Sequence, residues 1–445
     1  MSDSISVART KEQTRSFGKI FIYGGAILTI AELLGPIRFH FRSGEIVLLP
    51  MVWALLLGAL AGIISRKSRT AWGLDRSSQT ISSAVLQSAL LLLVAKLGLL
   101  VGGVLPSLAH AGWALAFQEV GHFLGTIIFA LPVALLLGIK REAIGATFSV
   151  GREPSLAIIG EKYGMDSAEG RGVLAEYITG TILGTIFITL FAGYITSLGI
   201  FNPLALAMGA GVGSGSMMAA ASSSIAALQS ADIAKQVMDF AAASNLITTT
   251  IGTYFTLFIS LPIACKAYEL LEPVLGRLSR SARSQHQADE ISSVPRSPEV
   301  VQLGPFAKFS TWIVTAVFII ICNLISHHVG YLASLPGIFF ILVCVITGNW
   351  LYNITGKRLP AVCWVSFIGL ALTQPYCPWA SEISAWSGKI DFLGVATPML
   401  TFAGLGIAKD LPAFRRLGWK IVLTSLCANA GTFVGATVIA EYLIR

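Results

Sequence analysis

Apolar runs long enough to cross a bilayer recur at 18–34, 46–64, 82–104, 113–139, 172–197, 203–229, 237–265, 311–331, 335–354, 360–376, 389–408 and 418–443. A helix needs about 20 such residues to span the hydrocarbon, and no other open structure satisfies its backbone there. The pattern predicts an all-α membrane protein. One long polar stretch interrupts it, from Ser279 to Pro305, and its Ser-Arg-Ser-Ala-Arg-Ser-Gln-His-Gln run offers nothing to bury. That composition reads as a flexible linker. The expected division is a tail at 1–17, a membrane bundle at 18–277, a linker at 278–310 and a second bundle at 311–445.

Loop charge orients the bundle, because Lys and Arg stay on the cytoplasmic side. Basic residues mark the N-terminus, Arg66/Lys67/Arg69/Arg76, Lys140/Arg141, 266–310, Lys357/Arg358 and Lys409/Arg415/Arg416, while 103–112, 198–203 and 376–388 carry none. The N-terminus and linker are therefore expected in the cytoplasm. The run at 20–34 lacks a small-x-small cleavage site and reads as a retained first span of a bacterial inner-membrane protein.

Basic and bare loops alternate except between 198–203 and 266–310, where two apolar segments would return the chain to the wrong side. One of them must enter and come back out, leaving about 11 spans. The run Met208-Gly-Ala-Gly-Val-Gly-Ser-Gly-Ser-Met217 singles out 203–229, since each internal glycine costs a helix about 1 kcal/mol. The competing reading is close helix packing, because Gly209/Gly213 and Gly211/Gly215 each satisfy G-x-x-x-G.

An internal repeat relates Leu49-Pro50 to Gly62 with Leu335-Pro336 to Gly348, and Phe123-Leu124-Gly125 with Phe392-Leu393-Gly394. It suggests two related bundles, with parallel or inverted symmetry left open.

The loop Gly151-Arg-Glu-Pro-Ser155 suits a hairpin entering from the cytoplasm, with a half-helix starting near Pro154. Its N–H groups would face an anion, and Arg152 could grip a carboxylate beside Glu153 and Ser155; a solvated turn is the plainer alternative. Gly211, Gly213, Ser214, Gly215 and Ser216 form the second candidate, since hydroxyls and unwound carbonyls suit sodium or a polar solute. Membrane serines also commonly bond their own backbone.

Asn245, Thr248 and Thr249 could line this site from the next span. Ionisable groups at membrane depth usually face a cavity or partner, which adds Glu119, His122, Lys96, Glu176 and Asp391. Glu119 and His122 share a helical face as a candidate proton relay. Thr397 before Pro398 frees a carbonyl near Asp391. Glu32 and Glu441 lie near span ends and are read as reaching the interface.

Composition narrows the function. Of 445 residues, 54% are hydrophobic and 12% charged, against about 25% charged in a soluble domain. The formal charge of +8 is spread over loops rather than gathered on one face, which argues against nucleic acid. No Walker motif, metal set or cofactor motif is present, so an ion gradient would supply the energy.

At Gly209 to Met218 and Gly151 to Ser155 the chain resembles a bacterial membrane family known only as a domain of unknown function. More distantly its interrupted segments resemble those of sodium-coupled glutamate and 2-hydroxycarboxylate symporters and 2-keto-3-deoxygluconate permeases. That likeness implies an elevator-type carrier of small organic anions, coupled to Na+ or H+. The expected partners are the lipid bilayer, a small anionic solute, the coupling cation and, as an open alternative, a second copy of the chain. A membrane-embedded enzyme acting on a lipid or quinone, or a non-transporting scaffold, are the other classes considered.

Overall fold

Alternation of Ile37, Phe39 and Phe41 with polar neighbours, followed by Ile46 and Leu48, has the period of a strand rather than a helix. These residues form a two-stranded hairpin, β1 (Ile37–Phe41) with β2 (Gly44–Leu48), the one departure from an all-α chain among the described residues. The computed structural model describes residues 2–41, 44–67, 73–110, 112–150, 155–156, 158–159, 162–163, 167–250, 252–278, 303–356, 361–409, 411 and 418–444.

The helices run in order α1 (Ser2–Leu34), α2 (Pro50–Lys67), α3 (Arg76–His110), α4 (Gly112–Leu136) and the short α5 (Glu142–Thr147). A π-helical turn, Gly180–Gly184, joins α6 (Ala168–Thr179) to α7 (Thr185–Ser197). Next come α8 (Pro203–Ala210), α9 (Gly215–Ala226), α10 (Ala231–Thr250) and α11 (Gly252–Phe255); a second π turn, Thr256–Ser260, leads to α12 (Leu261–Leu278). The remainder is α13 (Pro305–His327), α14 (Tyr331–Ile354), α15 (Ala361–Thr373), α16 (Ala380–Gly388), α17 (Phe392–Ile407) and α18 (Trp419–Ile444).

Among the described residues, 7 helices are long and apolar enough to cross a membrane, or 8 if α16 and α17, bent by 57°, make one span. Pro50–Ser65 and Ala361–Thr373 are apolar but shorter. The protein is thus a multi-pass membrane protein. Segment 203–229 fails the length test because it is two helices, of 8 and 12 residues.

The chain forms two compact units, and the linker does not separate them. One comprises 1–37, 48–103 and 299–410; the other comprises 38–47, 104–298 and 411–445. These bounds differ from the expected division at 278–310, and the matched segments on α2 and α14 lie within one unit.

Glycine stripes explain the pairing. In the first unit α2 packs on α17, where a Cβ on Gly58 would stand 2.9 Å from Thr401 O and 3.1 Å from Gly404 Cα. In the second, α4 packs on α18: a Cβ on Gly121 or Gly125 would overlap the carbonyl of Gly435 or Gly431, and the reverse substitutions would overlap in return. Two G-x-x-x-G faces thereby let backbones meet where lipid supplies no hydrophobic drive between helices.

Candidate functional site

The interrupted helix begins at Asn202, whose side chain accepts from Leu204 N at 2.9 Å, with Pro203 in the first turn. Helix α8 stops at Gly211. Residues 211–214 are not helical, Gly213 takes φ +97°, and α9 restarts with Ser214 as its cap, accepting from Met217 N at 3.2 Å.

Packing and unwinding, set against each other by the sequence, divide the glycines between them. A Cβ on Gly209 would overlap Thr437 Oγ1, and one on Gly211 would overlap the Ser244 side chain. At Gly213 the nearest atom is Met217 Sδ at 3.8 Å, so the backbone angle rather than space requires glycine there.

Helix α10 holds the break. Asn245 Nδ2 donates to Gly211 O at 2.8 Å and to Gly213 O at 3.4 Å, and Ser244 Oγ donates to Met208 O at 2.7 Å. Carbonyls freed from a helix in a dry interior cost about 1–3 kcal/mol each unless paired. At the restart, Ser214 Oγ and Ser216 Oγ lie 3.1 Å apart; Gly213, Ser214 and Gly215 are half-buried, whereas Ser216 is buried. Ser222 and Ser223 bond back to Met218 O and Ala219 O at 2.7 and 2.6 Å and so serve their own helix.

One helical turn beyond Asn245, Thr248 donates its hydroxyl to Glu119 Oε1 on α4. Gln118 Nε2 donates to the same oxygen at 2.9 Å, and His122 Nδ1 lies 3.3 Å from Oε2. The His122 ring stacks on Phe123, and Thr126 bridges its backbone carbonyl, at 2.7 Å, to Thr432 Oγ1, also at 2.7 Å. The structure therefore gathers Asn245, Thr248, Glu119 and His122 around one end of the glycine break, all in the second unit.

Other candidates lie elsewhere. Ser155 is buried and helical, while Arg152 and Glu153 lie outside the described residues, as does the side chain of Thr249. Asp391 and Thr397 belong to the first unit. Asp391 caps α17, accepting from Leu393 N at 2.8 Å, and pairs with His327 Nε2 at 3.2 Å; Thr397 bonds Leu393 O at 3.1 Å. Glu32 corrects the interfacial reading, since it is buried and accepts from Ser326. Lys96 is buried as well and donates to Ser387 O at 2.7 Å, beside the α16–α17 bend that Asn323 holds through Lys389 O and Asp391 N.

Sequence reasoning missed Gln118, Asn323 and Asn429. Each is an amide inside an apolar run, a signal as legible as a charge at depth. Among the described residues no three His, Cys, Asp or Glu side chains gather to hold a metal.

Where the Ala168–Ser197 span begins, α5 crosses α6 through Gly145 and Gly172, flanked by reciprocal ion pairs: Arg141 with Glu169, and Arg171 with Glu142 at 2.8 Å. The hydrogen bond and charge of Glu169 raise the Arg141 pKa above its usual value, so this guanidinium stays charged.

Fold and site together define a multi-pass α-helical membrane protein built around interrupted helices. It belongs to the family described as "Protein of unknown function (DUF3100)", whose model matches residues 29–270, more than half of the chain. No curated protein and no solved structure matches it.

Proposed function

We propose that this protein is a secondary active transporter that moves a small organic anion, such as a carboxylate, in company with Na+ or H+, and is not an enzyme. The interrupted helix carries the reading. Breaking a helix at membrane depth is tolerated where the freed backbone lines a cavity, and here Asn245 holds the break while Ser214 and Ser216 stand at the restart. A helix N-terminus attracts negative charge through its N–H groups and dipole. The loop bearing Arg152 and Glu153 is assigned to the same anion on sequence grounds.

An enzyme acting on a lipid or quinone would gather His, Asp and Glu toward one face, whereas hydroxyls, amides and glycines dominate here. The distant likeness to elevator carriers assigns carriage to the unit that holds the break. The seven long spans, the bent pair, the two shorter apolar helices and one passage by 231–278 would make eleven crossings of the bacterial inner membrane.

The test is a thermal-shift screen of purified protein against small carboxylates, in NaCl and in choline chloride. One carboxylate should raise the melting temperature, and Ser216→Ala should weaken its binding about tenfold, as expected for a lost hydrogen bond to a charged group. Stabilisation by quinones or lipids, with none by carboxylates, would favour the enzyme.

A further inference from the structure

We infer that the coupling ion is a proton and that its site is the Glu119–His122 pair. The inference rests on the carrier reading above and names its ion. Both side chains are buried, at 1% and 2% exposure, one turn apart on α4. Three donors converge on the carboxylate: the Gln118 amide at 2.9 Å, the Thr248 hydroxyl, and His122 Nδ1 at 3.3 Å.

A hard metal cation is held by several oxygen acceptors. Three of this carboxylate's roughly four acceptor positions already face N–H and O–H groups, which leaves sodium one oxygen lone pair rather than a cage. His122 supplies the complementary feature. With Nδ1 donating to Glu119, a neutral imidazole leaves Nε2 as an acceptor, and that buried atom has no partner among the described residues. Nε2 is therefore the atom at which a proton can be taken up, while Nδ1 passes its own proton to Glu119.

The transfer balances with one proton. An N–H bond forms at Nε2, the Nδ1–H bond breaks, and its proton bonds to Glu119 Oε2. The imidazole ends neutral as the other tautomer, and the carboxylate ends as a carboxylic acid. The same event reaches the break, because a neutral Glu119 weakens the charge-assisted bond from Thr248, and Thr248 sits one turn from the Asn245 that holds Gly211 and Gly213.

Among the described residues no other ionisable side chain bonds to Glu119 or His122. Of the elements packed on α4, α5 brings Glu142, paired with Arg171, and α12 brings Glu272, paired with Lys140, besides Cys265, Lys266, Tyr268 and Glu269. Helix α10 brings Asp232, Lys235 and Asp239, while α18 brings Lys420, Cys427, Glu441 and Tyr442; α8 and the Thr256–Ser260 turn bring none.

The experiment uses the purified full-length protein with Ser214→Cys as reporter, in the wild-type and Glu119→Gln backgrounds. The rate of labelling by a neutral maleimide, corrected for protein lacking the reporter, is followed over about pH 5–9, which lies on both sides of the ordinary histidine value, in NaCl and in choline chloride. Dividing one background's rate by the other's removes the thiol's own ionisation.

The ratio should change at least about fivefold through a single titration, the lower range of coupling between sites, and should be equal in the two salts. Glu119→Gln imitates the protonated acid and should stay at the acid value throughout. A ratio flat with pH would make the pair structural, and a ratio that responds to Na+ instead of pH would make it a sodium site; either overturns the inference. Should Glu119→Gln not fold, His122→Gln takes its place with the same readings. No solute is present, so this outcome and that of the carboxylate screen are separate.

Discussion

Gly213 at φ +97° occupies backbone space that an L side chain enters at a cost of about 1–2 kcal/mol. Gly213→Ala should therefore lower stability by about that amount although nothing blocks its Cβ, and denaturant unfolding in detergent would measure it. Asn245→Leu should cost more, about 1–3 kcal/mol for each of the two carbonyls it strips of a donor. If Asn245→Leu unfolded like wild type, the break would not depend on α10. The break itself was legible from the glycine run because helix propensity is a local property. What held it was not, since only folding shows which of many buried amides meets which carbonyl. Composition could equally well have assigned Asn323 to this role. Glu32 misled for a similar reason: its place near a span end does not reveal the Ser326 hydroxyl that receives it.

At the scale of elements, the α4–α18 crossing depends on four glycines that the sequence shows only as two unremarked G-x-x-x-G spacings about 300 residues apart. Packing of this kind is a property of a pair of helices, so neither sequence announces its partner. The most conspicuous glycine run reads first as a break, with such packing as the competing reading, and only part of it packs. A side chain on Gly125 would enter the Gly431 carbonyl, and backbone cannot yield as a flexible side chain does. Gly125→Leu should accordingly abolish folded protein in the membrane, read as loss of a monodisperse peak after extraction, whereas Ile128→Leu, on an exposed position of the same helix, should not. The α5–α6 crossing offers a different test. Glu142→Arg places like charges together beside Arg171, and adding Arg171→Glu should restore most of the lost stability. The recovery should be modest, about 0.2–1 kcal/mol for a pair partly open to solvent.

At the scale of the molecule, membrane character was legible from apolar run lengths alone, whereas the two units were not, because α18 joins a unit whose other helices precede the linker. The same geometry bears on whether 203–226 crosses the membrane. Its first end is tied by Asn202 N to Glu441 Oε2 at 2.7 Å, near the end of α18. Its far end is tied by Arg38 to Ala227 O at 3.4 Å, just after α1. Helices α1 and α18 both start beside basic residues and should therefore both finish outside. Two ends tied to groups on one face would leave no crossing between them, and neither helix alone, at about 12 and 18 Å for 8 and 12 residues, crosses the roughly 30 Å hydrocarbon. The segment is predicted to enter from the outer face and return to it, with the glycine break at its deepest part. Ile200→Cys and Ser230→Cys, both at exposed positions, should each react with a membrane-impermeant maleimide applied to spheroplasts. If Ser230→Cys reacted only in inverted vesicles while Ile200→Cys reacted in spheroplasts, 203–226 would be a full span, and the count of eleven crossings would fall with the re-entrant reading.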